Sequence, residues 1–363
     1  MERDIVSIFK TMTKRSKTQL AQIPILDLSD YLNGKPDAQE ELAIELRAAM
    51  EDTGFYILVN HGIGMCLIEK TLEAAKQFHA QPYEVKMALK GNEHNVGYMP
   101  LNSSVSRASQ IDIHEPKKPN LVEAFFVKRE LHPKHPDVLA NKLYRSKNIW
   151  PDELLLPGFR SSVIAYCHAM EDLCQRMLPI YAIALNLPSS HFDEPFTEAT
   201  FSFRMSHYPP TEFGDQDQFG ISAHTDSSFL TMLPQGDLPG LEVRLPGQEW
   251  QLVIAPEGSI VVNSGDMMRR WTNHRFLSTP HRAINRNYGK DRYAIPFFFD
   301  ANVDYPMACL PTCHSPDNPP RYAPITYTEY MKWFSQNNYD HVRNNADIFA
   351  PNPGVPPTQS VRD

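Results

Sequence analysis

The sequence predicts a β core of sandwich or barrel type supported by helices, and three observations predict it. From about residue 200, short β-like runs recur at 201–208, 220–233, 240–245, 250–254, 259–263, 280–286 and 292–299, separated by Pro, Gly and Asp. Short strands at regular spacing with turn signals between them are the pattern of a sandwich or barrel. Before residue 200 the pattern is helical more often than extended, which supplies the supporting layer. The 363 residues, 42% of them hydrophobic, can bury a sizeable core as one large domain or two smaller ones.

In order along the chain, the first 20 residues are basic and weakly amphipathic (Lys10, Lys14, Arg15, Lys17). They predict an N-terminal helix; Glu2, Asp4 and the lack of an apolar signal core argue against a targeting peptide. Residues 23–32 read as a short strand and turn. Residues 38–52 carry helical spacing (Leu42, Ile44, Leu46, Met50), and Gly54 follows where a left-handed residue ends a helix. Residues 55–59 form a buried-strand run closed by Asn60-His61-Gly62, and a second helix covers about 64–80. The stretch 90–155, rich in Pro, Lys, Asn and His, reads as an irregular functional loop region. A long helix at about 160–186 precedes the β region, and another near 326–337 follows it. From Pro351 the chain is Pro-rich and reads as a disordered tail.

Composition excludes several function classes. Net charge is −8 with no block of Lys and Arg, so a nucleic-acid footprint is absent. No run reaches the roughly 18 apolar residues of a membrane span. The five cysteines (Cys66, Cys167, Cys174, Cys309, Cys313) are odd in number and show no disulfide framework, which predicts reduced thiols in a cytoplasmic protein. The expected partner is a small molecule, and the expected assembly is a monomer or homodimer.

The chemistry-bearing pattern is His-x-Asp. On a strand, residues two apart point to one face, so such a pair can offer an imidazole and a carboxylate to one ion. Three such pairs occur: His135/Asp137, His191/Asp193 and His224/Asp226. Pro133 precedes the first and Pro136 sits within it, and the second lies in a loop-like stretch between Pro188 and Pro195, so both read as surface loops. The third sits in a strand-like run, Ile221-Ser222-Ala223-His224-Thr225-Asp226. His281 comes 55 residues after Asp226, in Ser278-Thr279-Pro280-His281-Arg282, and would complete a facial set of three. Three ligands on one side leave three coordination positions open, which suits O₂ chemistry at Fe(II). Arg292 opens the apolar run Arg292-Tyr293-Ala294-Ile295-Pro296-Phe297. A buried guanidinium calls for an anion, and its planar fork suits a carboxylate. Alternation on 201–208 places Ser202, Arg204, Ser206 and Tyr208 on one face, so Tyr208 can reach the cavity, and His207 on the other.

Taken together with Ile23-Pro24-Ile25-Leu26-Asp27, Gly54-Phe55-Tyr56, Tyr208-Pro209-Pro210, Pro239-Gly240-Leu241 and Asn263-Ser264-Gly265-Asp266, the pattern resembles the isopenicillin N synthase-like branch of the Fe(II)/2-oxoglutarate-dependent dioxygenases. The resemblance covers nearly the whole chain. It implies a mixed α/β protein, mainly β at its core, with a double-stranded β-helix (jelly roll) and N-terminal and flanking helices. The N-terminal dioxygenase region would span 22–135 and the jelly-roll core 200–305. Segments 136–199 and 306–350 would pack on that core, with 351–363 as a tail.

The activity it implies is oxidation, by hydroxylation, of a small organic metabolite with O₂, as 2-oxoglutarate is converted to succinate and CO₂. His224, Asp226 and His281 would hold the metal and act as the catalytic set. Arg292 would pair the distal carboxylate of 2-oxoglutarate, and Tyr208 would donate its hydroxyl to it. The family usually carries a hydroxyl residue where this chain has Ala294, a loss of one hydrogen bond of about 1 kcal/mol. Where the family usually has an asparagine, this chain has Ser206. Tyr98, Phe125, Phe126, Phe229 and Phe298 are the candidate substrate-lining aromatics, although core packing accounts for each equally well. Two other readings stay open. One keeps the iron without 2-oxoglutarate, with Arg292 on the substrate's own carboxylate; the other is a non-catalytic binding protein on the same scaffold.

Overall fold

The computed structural model describes residues 19–106, 118–210, 218–285 and 289–339. The N-terminal helix and the Pro-rich tail expected from the sequence lie outside these residues. Thirteen strands are present among the described residues: β1 (Ile25–Asp27), β2 (Phe55–Val59), β3 (Gly97–Met99), β4 (Glu123–Lys128), β5 (Thr200–Tyr208), β6 (Ile221–His224), β7 (Leu230–Pro234), β8 (Leu241–Val243), β9 (Gln251–Leu252), β10 (Ile260–Ser264), β11 (His281–Ala283), β12 (Arg292–Ala294) and β13 (Phe297–Asp300). They form two sheets. The larger runs β1-β2-β10-β7-β13-β5-β4-β3, with β12 also paired to β5; the smaller runs β6-β11-β8-β9. All pairings are antiparallel except β1 with β2.

Strand β5 shows how the sequence assigns the faces of the larger sheet. Phe201, Phe203 and Met205 point into the main apolar core. That core is shared with the helices Ala38–Asp52, Met65–His79 and Phe159–Ala184. Ser202, Arg204 and Tyr208 alternate with them and face the smaller sheet, where they line a cavity. The helices thus cover one side of the larger sheet, and the gap between the sheets holds the polar groups. Gly54 takes the left-handed conformation (φ +70°) after the first of these helices, and its N–H donates to Ala49 O.

The stretch 90–155 departs from the sequence expectation by containing β3 and β4. All six residues of β4 are buried. With both faces covered, Phe125, Phe126 and Val127 give no alternation to read, and the flanking Glu123 and Lys128 look like surface residues in the sequence. The run 220–233 is two strands broken at the loop 225–229. The run 292–299 is broken at Ile295-Pro296, where proline has no N–H for a ladder.

Glu123 explains how charges are accommodated on the helix side of the sheet. Its carboxylate accepts from Lys86 Nζ (2.8 Å), His207 Nδ1 (2.7 Å) and the Tyr98 hydroxyl, and His79 Nδ1 lies 3.5 Å away. His207 Nε2 pairs in turn with Asp291 Oδ1 at 2.7 Å. Burial alone would raise Glu123, but His207, His79 and Lys86 outweigh it and hold the carboxyl well below its ordinary range. Burial likewise opposes charge on His207, yet Glu123 and Asp291 leave it raised.

The stabilisation from Glu123 is therefore present above the carboxylate's unfolded pKa and fades as pH falls through its depressed folded value. That from His207 is present below the unfolded histidine value and fades as pH rises through the raised one. Glu123→Gln strands the buried Lys86 ammonium and is expected to cost about 3 kcal/mol at neutral pH. Urea denaturation should show that deficit shrinking in acid; a deficit independent of pH would contradict the ionic account.

Candidate active site

Strand alternation on β6 and its loop, together with pairing to β11, assembles the central cluster. His281 on β11 sits directly opposite His224 on β6 in the antiparallel register. Their ring centroids are 4.4 Å apart. Asp226 Oδ1 lies 3.7 Å from His224 Nε2 and 3.5 Å from His281 Nε2. Donor atoms that share one ion at about 2.1 Å stand roughly 3 to 3.5 Å apart, so this spacing is close to that of a loaded site.

The tautomers suit a metal. His224 Nδ1 donates to Ser222 O at 2.9 Å, and His281 Nδ1 donates to Thr279 O at 3.1 Å. A carbonyl can only accept, so each Nδ1 carries a proton and each Nε2 is the ring nitrogen left to face Asp226. Burial opposes charge on His281, but the Asp226 carboxylate leaves it raised. Burial, reinforced by the neighbouring His281, pushes His224 down to about 4 and keeps it neutral. Burial opposes ionisation of Asp226, but the two histidines and Asn263 overcome it and hold the carboxyl well below its usual range.

The Asn263-Ser264-Gly265-Asp266 segment braces this arrangement. Asn263 Nδ2 donates to Asp226 Oδ2 at 2.9 Å, leaving Oδ1 toward the histidines. Asp266 N–H donates to Asp226 O at 2.7 Å, and the Asp266 carboxylate accepts from Thr225 Oγ1 and Tyr330 OH, each at 3.1 Å. Gly265 passes so close to the backbone of Asp226 and Ser228 that an added Cβ would collide with it.

Two other groups bring His and carboxylate atoms within 4.8 Å among the described residues: His79/Glu123/His207 and His135/Asp137/Glu198. In both, a protein cation already meets the carboxylates. Lys86 serves Glu123, and Arg145 serves Asp137 (3.0 Å) and Glu198. Asp226 pairs with no lysine or arginine among the described residues. Its donor set, two imidazoles and a carboxylate, fits Fe(II).

The cluster lies on a cavity of about 130 Å³ between the two sheets. Arg292, Tyr208 and Ala294 line it as well. The Arg292 guanidinium lies 4.9 Å from the centre of the Tyr208 ring, its strand neighbour across β12 and β5, and its Nε donates to Leu238 O at 3.3 Å. Gly240 lets the chain pass both the Ile284 backbone and this side chain, because a Cβ there would meet Ile284 O as well as Arg292 Nε and Cδ.

The expected aromatics divide. Phe126 and Phe298 line the cavity. Tyr98, Phe125 and Phe229 do not, which corrects the sequence expectation: all three lie in the main core. Phe125 follows the alternation of β4 away from Phe126, and Tyr98, opposite it in register, reaches Glu123 instead. Phe229 packs among Tyr181, Phe192, Phe196 and Trp271. Sequence reasoning assigned no role to Asn263, Asn95 or Arg204. For Asn263 a signal existed in the Asn-Ser-Gly-Asp motif.

Residues 199–301 match the model of the 2OG-Fe(II) oxygenase superfamily, and residues 23–153 match that of the non-haem dioxygenase in morphine synthesis N-terminal region. A 2-oxoglutarate-Fe(II) type oxidoreductase of Emericella nidulans is 34% identical over 323 residues, covering 87% of this chain and 90% of the relative. The chain belongs to the 2OG-Fe(II) oxygenase superfamily. A 2-oxoglutarate-dependent dioxygenase of Monascus ruber is 35% identical, covering 79% of this chain and 87% of its own. A solved 2OG-Fe(II) oxygenase family protein from Caulobacter crescentus superposes with a TM-score of 0.73 at 29% identity, over 86% of this chain and 98% of that one. A full-length Neurospora crassa protein solved in complex with alpha-KG shares the fold, with a TM-score of 0.74 at 24% identity over 87% and 98% of the two chains. The oxygenase is thus an oxidoreductase of jelly-roll fold that uses Fe(II) and 2-oxoglutarate, which disfavours the reading without the co-substrate.

Gly265→Ala is expected to cost about 1–3 kcal/mol, because the methyl group must displace backbone rather than a mobile side chain. Urea denaturation of the metal-free protein measures it; an unchanged midpoint would show that the loop does not need this close approach.

Proposed function

We propose that His224, Asp226 and His281 hold the iron, that Arg292 and Tyr208 hold 2-oxoglutarate, and that a small organic metabolite is hydroxylated in the cavity between the sheets. The observation that carries this reading is the convergence of two histidine Nε2 atoms and one carboxylate that pairs with no lysine or arginine among the described residues. When bound, Fe(II) and 2-oxoglutarate supply the oxidising power for O₂-dependent C–H chemistry, with succinate and CO₂ as co-products.

The chain's own groups have separate tasks. Ser222 O and Thr279 O fix the imidazole tautomers, and Asn263 fixes the carboxylate rotamer. Arg292, seated against Tyr208 and Gly240, presents a planar cation to the distal carboxylate of the co-substrate. Ala294 lines the cavity without a hydroxyl, so the arginine carries more of that recognition. Phe126 and Phe298 give the substrate an apolar wall and limit water at the reacting centre. Every group comes from one chain, so a second copy is not required for the chemistry. No described helix is long and apolar enough to cross a membrane. All five cysteines are unpaired, which supports a cytoplasmic location.

Anaerobic titration of the Fe(II) protein with 2-oxoglutarate should develop a weak visible charge-transfer band, and turnover should release one succinate per product. Arg292→Met is expected to raise the 2-oxoglutarate dissociation constant by roughly tenfold or more, at least about 1.4 kcal/mol, by removing the guanidinium. Iron content should be unchanged. A band absent from the iron-loaded wild type would refute the co-substrate assignment, and unaltered affinity in the variant would remove Arg292 from it.

A further inference from the structure

A second arginine in the same cavity makes no ion pair with a carboxylate among the described residues. Arg204 lies on the cavity face of β5, two residues from Ser202 and four from Tyr208, and lines the space that His224 and Asp226 line. Its residue is 7% exposed, and its Nε and Nη2 atoms are buried without a hydrogen-bond partner. What it does have is a face: the guanidinium carbon stands 5.3 Å from the centre of the Phe126 ring, its register neighbour on β4. A cation–π contact of this kind offsets only part of the cost of desolvating a guanidinium. Asn95 lines the same cavity, and its Oδ1 is likewise buried without a partner.

Charge accounting gives Arg204 a task. With iron on Asp226 and the co-substrate's two carboxylates divided between the metal and Arg292, those charges cancel. Arg282, also on the cavity wall, is taken by Glu242. Asp300, also on the wall, is pushed up to about 7 by burial. Arg204 is then the remaining arginine among the described residues of the cavity. We propose that Arg204 is the specificity-determining group for the substrate, and that it binds a carboxylate on a small molecule whose apolar body packs on Phe126 and Phe298. Asn95 offers an acceptor to a hydrogen-bond donor on that molecule. This inference rests on the reading above, in which Arg292 takes the co-substrate.

A buried cation that awaits a ligand lowers the stability of the free protein, and this gives a readout independent of turnover. Arg204→Met, similar in length and uncharged, is expected to raise the melting temperature of the ligand-free protein by a few degrees; Arg204→Lys should not. The binding probes are acetate, butyrate and benzoate, each paired with its primary amide. They are titrated calorimetrically into the anaerobic Fe(II)·2-oxoglutarate protein.

At least one carboxylate should bind the wild type tenfold or more tightly than its amide. Arg204→Met should abolish that preference, Arg204→Lys should keep part of it, and both variants should bind 2-oxoglutarate as the wild type does. The proposal is overturned if no carboxylate outranks its amide, or if the preference survives in Arg204→Met. Loss of 2-oxoglutarate binding in Arg204→Met alone would overturn it too, by moving Arg204 to the co-substrate. Failure of the wild type to bind 2-oxoglutarate would instead refute the underlying reading.

Discussion

The antiparallel register that sets His281 opposite His224 is the constraint on which the rest of the site depends. A shift of one residue in the β6–β11 ladder would turn one imidazole to the far face of the sheet and leave Asp226 with a single partner. Much of the surrounding sequence serves to hold that register and the loop after β6. Gly265 admits the close approach of the β10 end, Asp266 ties down the Asp226 backbone, and Asn263 sets the carboxylate. These contacts connect the larger sheet to the smaller one at the point where the chemistry sits.

The larger sheet separates two kinds of buried charge. On its helix side, Glu123 is surrounded by protein donors, so the charges there are matched within the chain and serve the architecture. On the cavity side, Asp226 pairs with no lysine or arginine and Arg204 makes no ion pair among the described residues. A fold that buries unmatched charge in one place and matches it elsewhere marks where its ligands go. The same criterion separates His224/Asp226/His281 from two other His-carboxylate clusters of similar compactness.

The sequence made some of this legible because the relevant physics is local. Period-two alternation on β5 and β6 is enough to group Ser202, Arg204 and Tyr208, and to pair His224 with Asp226. Helical spacing and Gly54 located the Ala38–Asp52 helix. The rest depends on tertiary partners. Strand β4 is covered on both faces and shows no alternation, so neither it nor β3 was readable, and Phe125 could not be told from Phe126. Tyr98 and Phe229 are aromatic and near the site in sequence, but their sides are set by packing against Phe78 and Trp271. Alternation sets Arg204 on the cavity face, whereas its lack of hydrogen-bond partners at Nε and Nη2 emerges only once its neighbours are known.

The central claim is that one ion sits between His224, Asp226 and His281. Anomalous diffraction at the iron edge, from crystals grown anaerobically with Fe(II), tests it most directly. The account predicts a single strong peak within about 2.2 Å of His224 Nε2, His281 Nε2 and an Asp226 carboxylate oxygen. A peak at His79, Glu123 and His207 instead, or none in iron-replete crystals, would contradict it.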